Sequence, residues 1–394
     1  MKKIIGCVSL AVLFLCGCTE EKSIAQKPSE AKVFASVKEL QKKYAPDKRV
    51  AIFNIKTYEL GNKLIVVGDV EKEEAKKELL NALAVENKEI VDSITILPDE
   101  KLGTKTYGII TVSVANMRSE PGENKELCSQ VLMGNIVRIL KRKDGWVYIQ
   151  SSDKYLGWAD PDQMIRVSKK EAEEWNSAKK VFVTNYVGFI LQQPSLQSFP
   201  VCDFTGGALL KDLGTTSTWT KVGLADGRVG YIQKSDAIEY QQWGTKLAPV
   251  ADNVERTGKF LMGVPYLWGG TSPKGVDCSG FTKTVFLLNG QLLNRDANQQ
   301  AEQGEPIEPG AEFENLKKGD LLFFGRKAGN DKPEKIVHVG IYLGNREYIH
   351  SSGKVHISSF NPQSPIFEEY NLKRFVRARR VIASTPQVAE IKTH

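Results

Sequence analysis

The chain has 394 residues, of which 26% are charged and 41% hydrophobic, with a formal net charge of +7. That balance excludes an intrinsically disordered chain and gives room for two to four units of roughly 100–200 residues each. Lys and Arg are spread along the sequence with no basic block interleaved with aromatics, so no nucleic-acid partner is expected, and the excess reads as a solvated basic surface with a weak pull towards anionic polymers.

Met1-Lys2-Lys3 is a charged start, and Ile4 to Leu15 is an apolar run too short to span a bilayer comfortably but suited to a signal peptide. It ends in Leu15-Cys16-Gly17-Cys18, which resembles the lipobox of bacterial lipoproteins. The resemblance implies cleavage before Cys18 and lipidation of Cys18, with residues 1–18 as leader and 19–32 as a polar leash. The expected location is the cell envelope, on the periplasmic side or at the outer membrane, tethered through lipid. The mature chain then keeps Cys128, Cys202 and Cys278, too few for a disulfide framework, and no CxxC pair points to structural zinc. Neither metal nor cofactor is expected.

Residues 33–100 read as a small α/β unit: apolar runs at 50–55, 64–67 and 94–97 predict strands, and Ala75, Leu79, Ala82 and Leu83 share one side of a helix. Residues 105–245 contain a repeat. Pro121 and Pro194, Gly134 and Gly207, Trp146 and Trp219, Gly157 and Gly230, and Trp158 and Tyr231 all pair at one offset of about 73 residues. Short β-rich runs between turns predict two small barrels, at 105–168 and 178–243. Their endings, "LGWAD" and "VGYIQ", resemble bacterial SH3-like domains. Cys128 and Cys202 sit at near-equivalent places and read as small core residues.

The last unit, 248–383, starts with helical Val254 to Met262 and a tight turn at Trp268-Gly269-Gly270. A second helix begins near Cys278, with Phe281, Val285 and Leu288 on one side and Asn289-Gly290 as its stop. Strands follow at 320–324, 337–343 and 347–350, an α+β layout; residues 384–394 are a tail. A cysteine at a helix N-terminus beside an imidazolium is expected to have a lowered pKa. In the strand that follows, Val337, Val339, Ile341 and Leu343 should fill the core, turning His338 the other way beside Gly340. Tyr348 and His350 share a face of the next strand, so pairing of the two strands would set His350 beside His338 as a base and its orienter.

The segments "PYLWGGTSPKGVDCSGF", "KKGDLLFF", "VHVGIYLG" and "YIHSSG", in that order, resemble the NlpC-type murein peptidases, a papain-related family of bacterial wall hydrolases. The resemblance implies Cys278 as nucleophile, His338 as base, His350 as orienting group and the Tyr266 hydroxyl as an oxyanion-hole donor. His356 matches no family motif and His394 is terminal. Paired barrels before such a domain resemble the γ-D-glutamyl-L-diamino-acid endopeptidases, of dipeptidyl-peptidase VI type. This implies that Glu126, Tyr155 and Asp296 clamp the free amine of an N-terminal L-Ala, with Trp268, Asp277 and Ser279 lining the groove. The expected partners are murein peptides, met by a monomeric enzyme. Two other readings stay open: a remodelling endopeptidase of intact peptidoglycan, and a wall-binding lipoprotein with a silent domain.

Overall fold

A computed structural model of the chain describes residues 28–84, 88–245, 247–329 and 331–382. The leader, the lipobox with Cys18, and His394 lie outside the described residues.

The N-terminal unit is α1 (Pro28–Tyr44), β1 (Phe53–Leu60), β2 (Lys63–Val70), α2 (Glu73–Leu83) and β3 (Glu89–Ile96). Residues 28–32, expected to belong to a leash, are instead the first turn of α1, where proline costs no helical hydrogen bond. β1 pairs antiparallel with β2, and β2 parallel with β3. Ala75, Leu79 and Leu83 of α2 and Val33 and Leu40 of α1 bury against Phe53, Leu64 and Val66 of the sheet. The helical spacing seen in the sequence is therefore the stripe that packs on the sheet.

The first β unit holds β4 (Tyr107–Ile110), β5 (Val114–Arg118), β6 (Leu127–Leu132), β7 (Ile136–Lys143), β8 (Trp146–Gln150), β9 (Leu156–Ala159) and β10 (Met164–Val167). After α3 (Lys169–Ser177), the second holds β11 (Lys180–Val183), β12 (Val187–Leu191), β13 (Pro200–Thr205), β14 (Leu209–Thr215), β15 (Trp219–Gly223), β16 (Val229–Gln233) and β17 (Ala237–Glu239). Their orders are β6-β5-β9-β8-β7-β4-β10 and β13-β12-β16-β15-β14-β11-β17, the same path traced twice. The repeated glycines explain themselves. At Gly157 a side chain would stand 3.0 Å from Cβ of Met117, and at Gly230 one would stand 2.7 Å from the Leu191 carbonyl. In each copy the β9 or β16 backbone must pass tightly over the β5 or β12 strand. Cys128 and Cys202 are half-buried against the two cores. Burial raises both thiols, that of Cys128 to about 11, as inert packing residues require.

The last unit comprises α4 (Ala251–Phe260), the short pair β18 (Thr271–Ser272) and β19 (Gly275–Val276), α5 (Cys278–Leu287), α6 (Ala297–Gln300), β20 (Glu305–Ile307), β21 (Leu321–Arg326), β22 (Lys335–Gly344), β23 (Glu347–Ser352), β24 (Lys354–Ser359), α7 (Glu369–Lys373) and β25 (Phe375–Arg380). Its sheet is antiparallel, in the order β20-β25-β21-β22-β23-β24. α5 packs on β22 and β23, burying Phe281 and Val285 against Val339, Ile341 and Ile349. Val337 departs from the expected core row and is exposed. A bulge where β21 passes from Phe324 to Gly325 shifts the register, so His338 pairs with Phe324 and Ile336 with Gly325.

Candidate active site

Cys278 opens α5 because Asp277 caps it: Oδ1 of Asp277 accepts from the Gly280 N–H at 2.7 Å and its Oδ2 from the Gly269 N–H at 3.0 Å. Gly280 has to be glycine, since a side chain there would stand 1.9 Å from the Gly270 carbonyl. Asp277 is also gripped by Arg295, whose Nη2 lies 2.5 Å and Nη1 3.2 Å from its two oxygens. Both residues are buried, and Ser279 joins them, accepting from Arg295 at 3.1 Å. The side chains of Asp277 and Ser279, expected to line the groove, are thus committed to a buried network behind the cysteine.

His338 Nε2 lies 2.8 Å from His350 Nδ1. The two rings meet because β22 and β23 pair in a register that sets Tyr342 opposite Tyr348, with His338 and His350 following on the same face. Gly340 between them leaves the room: a side chain there would crowd the His350 Cβ at 3.2 Å. Both histidines are buried, His350 completely. The far nitrogen of His350, Nε2, lies 3.1 Å from the Ser358 hydroxyl and 3.4 Å from a Glu368 oxygen. Glu368 also accepts from the Tyr348 hydroxyl at 2.9 Å. Desolvation opposes ionisation of Glu368, yet hydrogen bonds led by that to His350 hold its pKa down at about 2.

Cys278 packs in one core with Val339, next along β22 from His338. In the tautomer in which His338 Nε2 donates to His350, the His338 Nδ1 carries a lone pair that can take a thiol proton. Burial pushes the Cys278 thiol up to about 12, with the Asp277 charge adding to it. Burial likewise lowers His338 well below the ordinary imidazole value, and the His350 charge lowers it further. The lowering expected from the helix N-terminus is opposed by desolvation of the buried sulfur. Burial of both groups disfavours their charged forms, and the chemistry needs the sulfur's proton to pass to the imidazole as the sulfur attacks.

Tyr266 is half-buried, with its backbone N–H bound to the Gly353 carbonyl at 2.9 Å. Burial, then the Cys278 charge, raises its phenol to about 12, which keeps it a proton donor. At the other end of the site, the Tyr155 hydroxyl donates to Asp296 at 3.1 Å, and Trp268 Nε1 donates to Glu126 at 2.8 Å. Gly269 lets the Trp268 turn sit against the first β unit, since a side chain there would lie 2.2 Å from the Leu127 carbonyl. Residues from both units thus meet within one network, running from Asp277 through Arg295 and Asp296 to Tyr155.

Arg295, Ser358 and Glu368 were missed in the sequence. Arg295 had a signal, standing beside Asp296, whereas Glu368 arrives from a loop with no motif of its own. Among the described residues, His350, His356 and Glu368 offer ligand atoms within 4.8 Å of one another, the spacing of a metal site. His350 Nε2 is already engaged with Ser358 and Glu368, so the group serves first as the anchor of the histidine pair.

The NlpC/P60 family model matches residues 263–380, and that of the bacterial dipeptidyl-peptidase SH3 domain matches residues 117–164. The gamma-D-glutamyl-L-lysine dipeptidyl-peptidase of Bacillus subtilis (strain 168) is 31% identical over 232 residues, covering 57% of this chain and 71% of that protein. The chain belongs to the NlpC/P60 family. The dipeptidyl-peptidase 6 of Lysinibacillus sphaericus is 29% identical over 277 residues, 66% of this chain and 94% of the relative. A crystal structure of an NlpC/P60 family protein from Bacillus cereus ATCC 10987 superposes with a TM-score of 0.61 at 25% identity, covering 70% of this chain and all of the other. This NlpC/P60 member is a multidomain cysteine peptidase, largely built of sheet, in which an SH3-like domain precedes the catalytic domain.

Proposed function

We propose that the enzyme cleaves the bond between γ-linked D-Glu and the following diamino acid, lysine or diaminopimelate, in murein peptides that begin with a free L-Ala. One observation carries this reading. Tyr155 of the SH3-like domain is bonded to Asp296 of the catalytic domain at 3.1 Å, and Trp268 of the catalytic domain to Glu126 of the SH3-like domain at 2.8 Å, so each carboxylate lies at the junction of the two domains. An ammonium buried there requires such counter-charge. The names of the gamma-D-glutamyl-L-lysine dipeptidyl-peptidases of Bacillus cereus and Bacillus subtilis support this bond with lysine as the diamino acid.

In this reading His338 Nδ1 takes the Cys278 proton as sulfur attacks the γ-carbonyl carbon of D-Glu. The oxyanion is held by the Cys278 backbone N–H and the Tyr266 hydroxyl. Collapse expels the diamino-acid amine, which takes its proton from the His338 imidazolium. Water, deprotonated by the same nitrogen, then hydrolyses the thioester and frees L-Ala-γ-D-Glu. His350, steadied by Glu368, keeps His338 in the tautomer this needs.

Two finer features belong to the proposal. The second β unit is a second SH3-like barrel, supported by its identical strand path. The chain is held at the envelope by a lipid on Cys18, supported by the lipobox-like Leu15-Cys16-Gly17-Cys18.

The test is mass spectrometry of the products from L-Ala-γ-D-Glu-diaminopimelate and its N-acetylated form. Release of L-Ala-γ-D-Glu is expected to be far faster from the free-amine peptide than from the slowly cleaved acetylated one. Equal cleavage of both would reject the clamp and make the enzyme a remodelling endopeptidase of intact wall.

A further inference from the structure

Asp296 is not left to Tyr155 alone. The turn between α1 and β1 of the N-terminal unit reaches across to it, and Nη1 of Arg49 stands 2.7 Å from the same Asp296 oxygen and 2.8 Å from Asn298 Oδ1. The two partners of that ion pair are 247 residues apart in sequence. The rest of the guanidinium is held by its own turn: Nε and Nη2 of Arg49 grip the two Asp47 oxygens at 2.9 and 2.8 Å. The turn is fastened on both sides of the clamp. The Leu156 N–H, one residue past Tyr155, donates to the Arg49 carbonyl at 2.8 Å, and Gln150 Nε2 donates to the Val50 carbonyl at 3.1 Å. From α6, Gln299 Nε2 donates to Asp47 at 2.7 Å.

We infer that Arg49 is a positioning residue of the amine clamp, and that the N-terminal unit is thereby a working wall of the substrate site. The inference rests on the clamp reading of Tyr155, Asp296 and Glu126 given above. A cation beside Asp296 has two possible consequences, and the charges decide between them. If Arg49 simply replaced the substrate ammonium, it would have to neutralise Asp296. Its fork is already closed on Asp47, so Asp47, Asp296 and Glu126 carry three negative charges against one from Arg49. Arg295 adds a second cation, bonded to Asp277 and 3.8 Å from the other Asp296 oxygen, but Asp277 brings its own negative charge. The end of the groove therefore stays net negative with Arg49 in place. What Arg49 adds is direction: with the Tyr155 hydroxyl it fixes one oxygen of Asp296, so the carboxylate is ordered before the peptide arrives and loses less freedom on binding. The first sheet of the chain, which contributes nothing to the cysteine–histidine chemistry, acquires a function through this one turn.

The experiment compares KM and kcat of the full-length enzyme with Arg49→Ala, Arg49→Lys, Asp47→Asn and Asp296→Asn, each on the free-amine peptide and its N-acetylated form. Loss of one charge-assisted hydrogen bond, roughly 1.5–3 kcal/mol, corresponds to a rise of about 10- to 100-fold in KM for the free-amine peptide with Arg49→Ala. The kcat is expected to stay within about twofold, and the acetylated peptide to respond little. Arg49→Lys, which keeps the charge but not the fork, should recover part of the loss. Asp47→Asn, which frees the guanidinium without removing it, gives a smaller rise and keeps the test decisive if Arg49→Ala fails to fold. An unchanged KM in the Arg49 variants while Asp296→Asn raises it would overturn the role of Arg49 and leave the clamp standing. A fall in KM with Arg49→Ala would overturn it too, by making Arg49 a competitor of the substrate amine. No effect of Asp296→Asn on amine preference would remove the clamp and the inference together.

Discussion

Replacing Arg295 by Met leaves Asp277 with a buried negative charge and no cation. Arg295 is 2% exposed and holds both Asp277 oxygens, at 2.5 and 3.2 Å. Breaking a buried pair by removing one partner costs about 3–5 kcal/mol. Asp277 keeps two backbone donors, from Gly269 and Gly280, which puts the expected cost at the lower end, about 3 kcal/mol. For a domain of this size that lowers Tm by roughly 6–12 °C. The loss also reaches the chemistry, because Asp277 caps the helix that Cys278 opens. Thermal unfolding of the catalytic domain followed by tryptophan fluorescence reads the first effect, and kcat on the free-amine peptide the second. The double variant Asp277→Asn/Arg295→Met has no stranded charge and should regain much of the lost Tm. A drop below about 2 °C for the single variant, or a double variant as unstable as the two losses added, would refute the buried-charge account.

Cys278→Ala should abolish cleavage and alkylation of the thiol should do the same, while chelators leave it intact; product from the alanine variant would end the cysteine mechanism. The free imidazole of His338 is the working form, and its pKa lies below the usual value of about 6.5. The acid limb of kcat/KM is therefore expected below pH 6.5, and a limb at or above that pH would contradict the burial argument. Stability follows the same sign. His338 and His350 have lowered pKa values in the fold, so their contribution is present above about pH 6.5 and falls as pH drops towards the folded values. Asp47, Asp153 and Glu368, held at about 2, add stability that is present above about pH 4.5 and lost as pH falls towards 2. Acid titration by circular dichroism should show unfolding beginning below pH 6.5 and steepening below 4.5. Tyr155→Phe removes one donor to Asp296 and should lower kcat/KM for the free-amine peptide about 10-fold or more, with little change for the acetylated one; equal losses on both would place Tyr155 outside the clamp.

Much of this site was legible in the sequence because it is written locally. Cys278 at a helix start, His338 on an alternating strand and His350 on the next strand are short-range patterns, and strand pairing then leaves few places for the two histidines to go. The duplicated β unit was legible for the same reason, since Gly157 and Gly230 answer one steric demand twice. Other properties were decided only by the tertiary structure. Burial pushes the Cys278 thiol up, because desolvation depends on what closes over a side chain and not on its neighbours in the chain. Val337 left the core row through a bulge that its alternation does not encode. Asp277 and Ser279 turned inward because Arg295 folds back onto them. The Glu368 anchor and the reach of Arg49 to Asp296 join residues far apart in sequence, and such a pair exists only once separate units have docked; no local spacing records it.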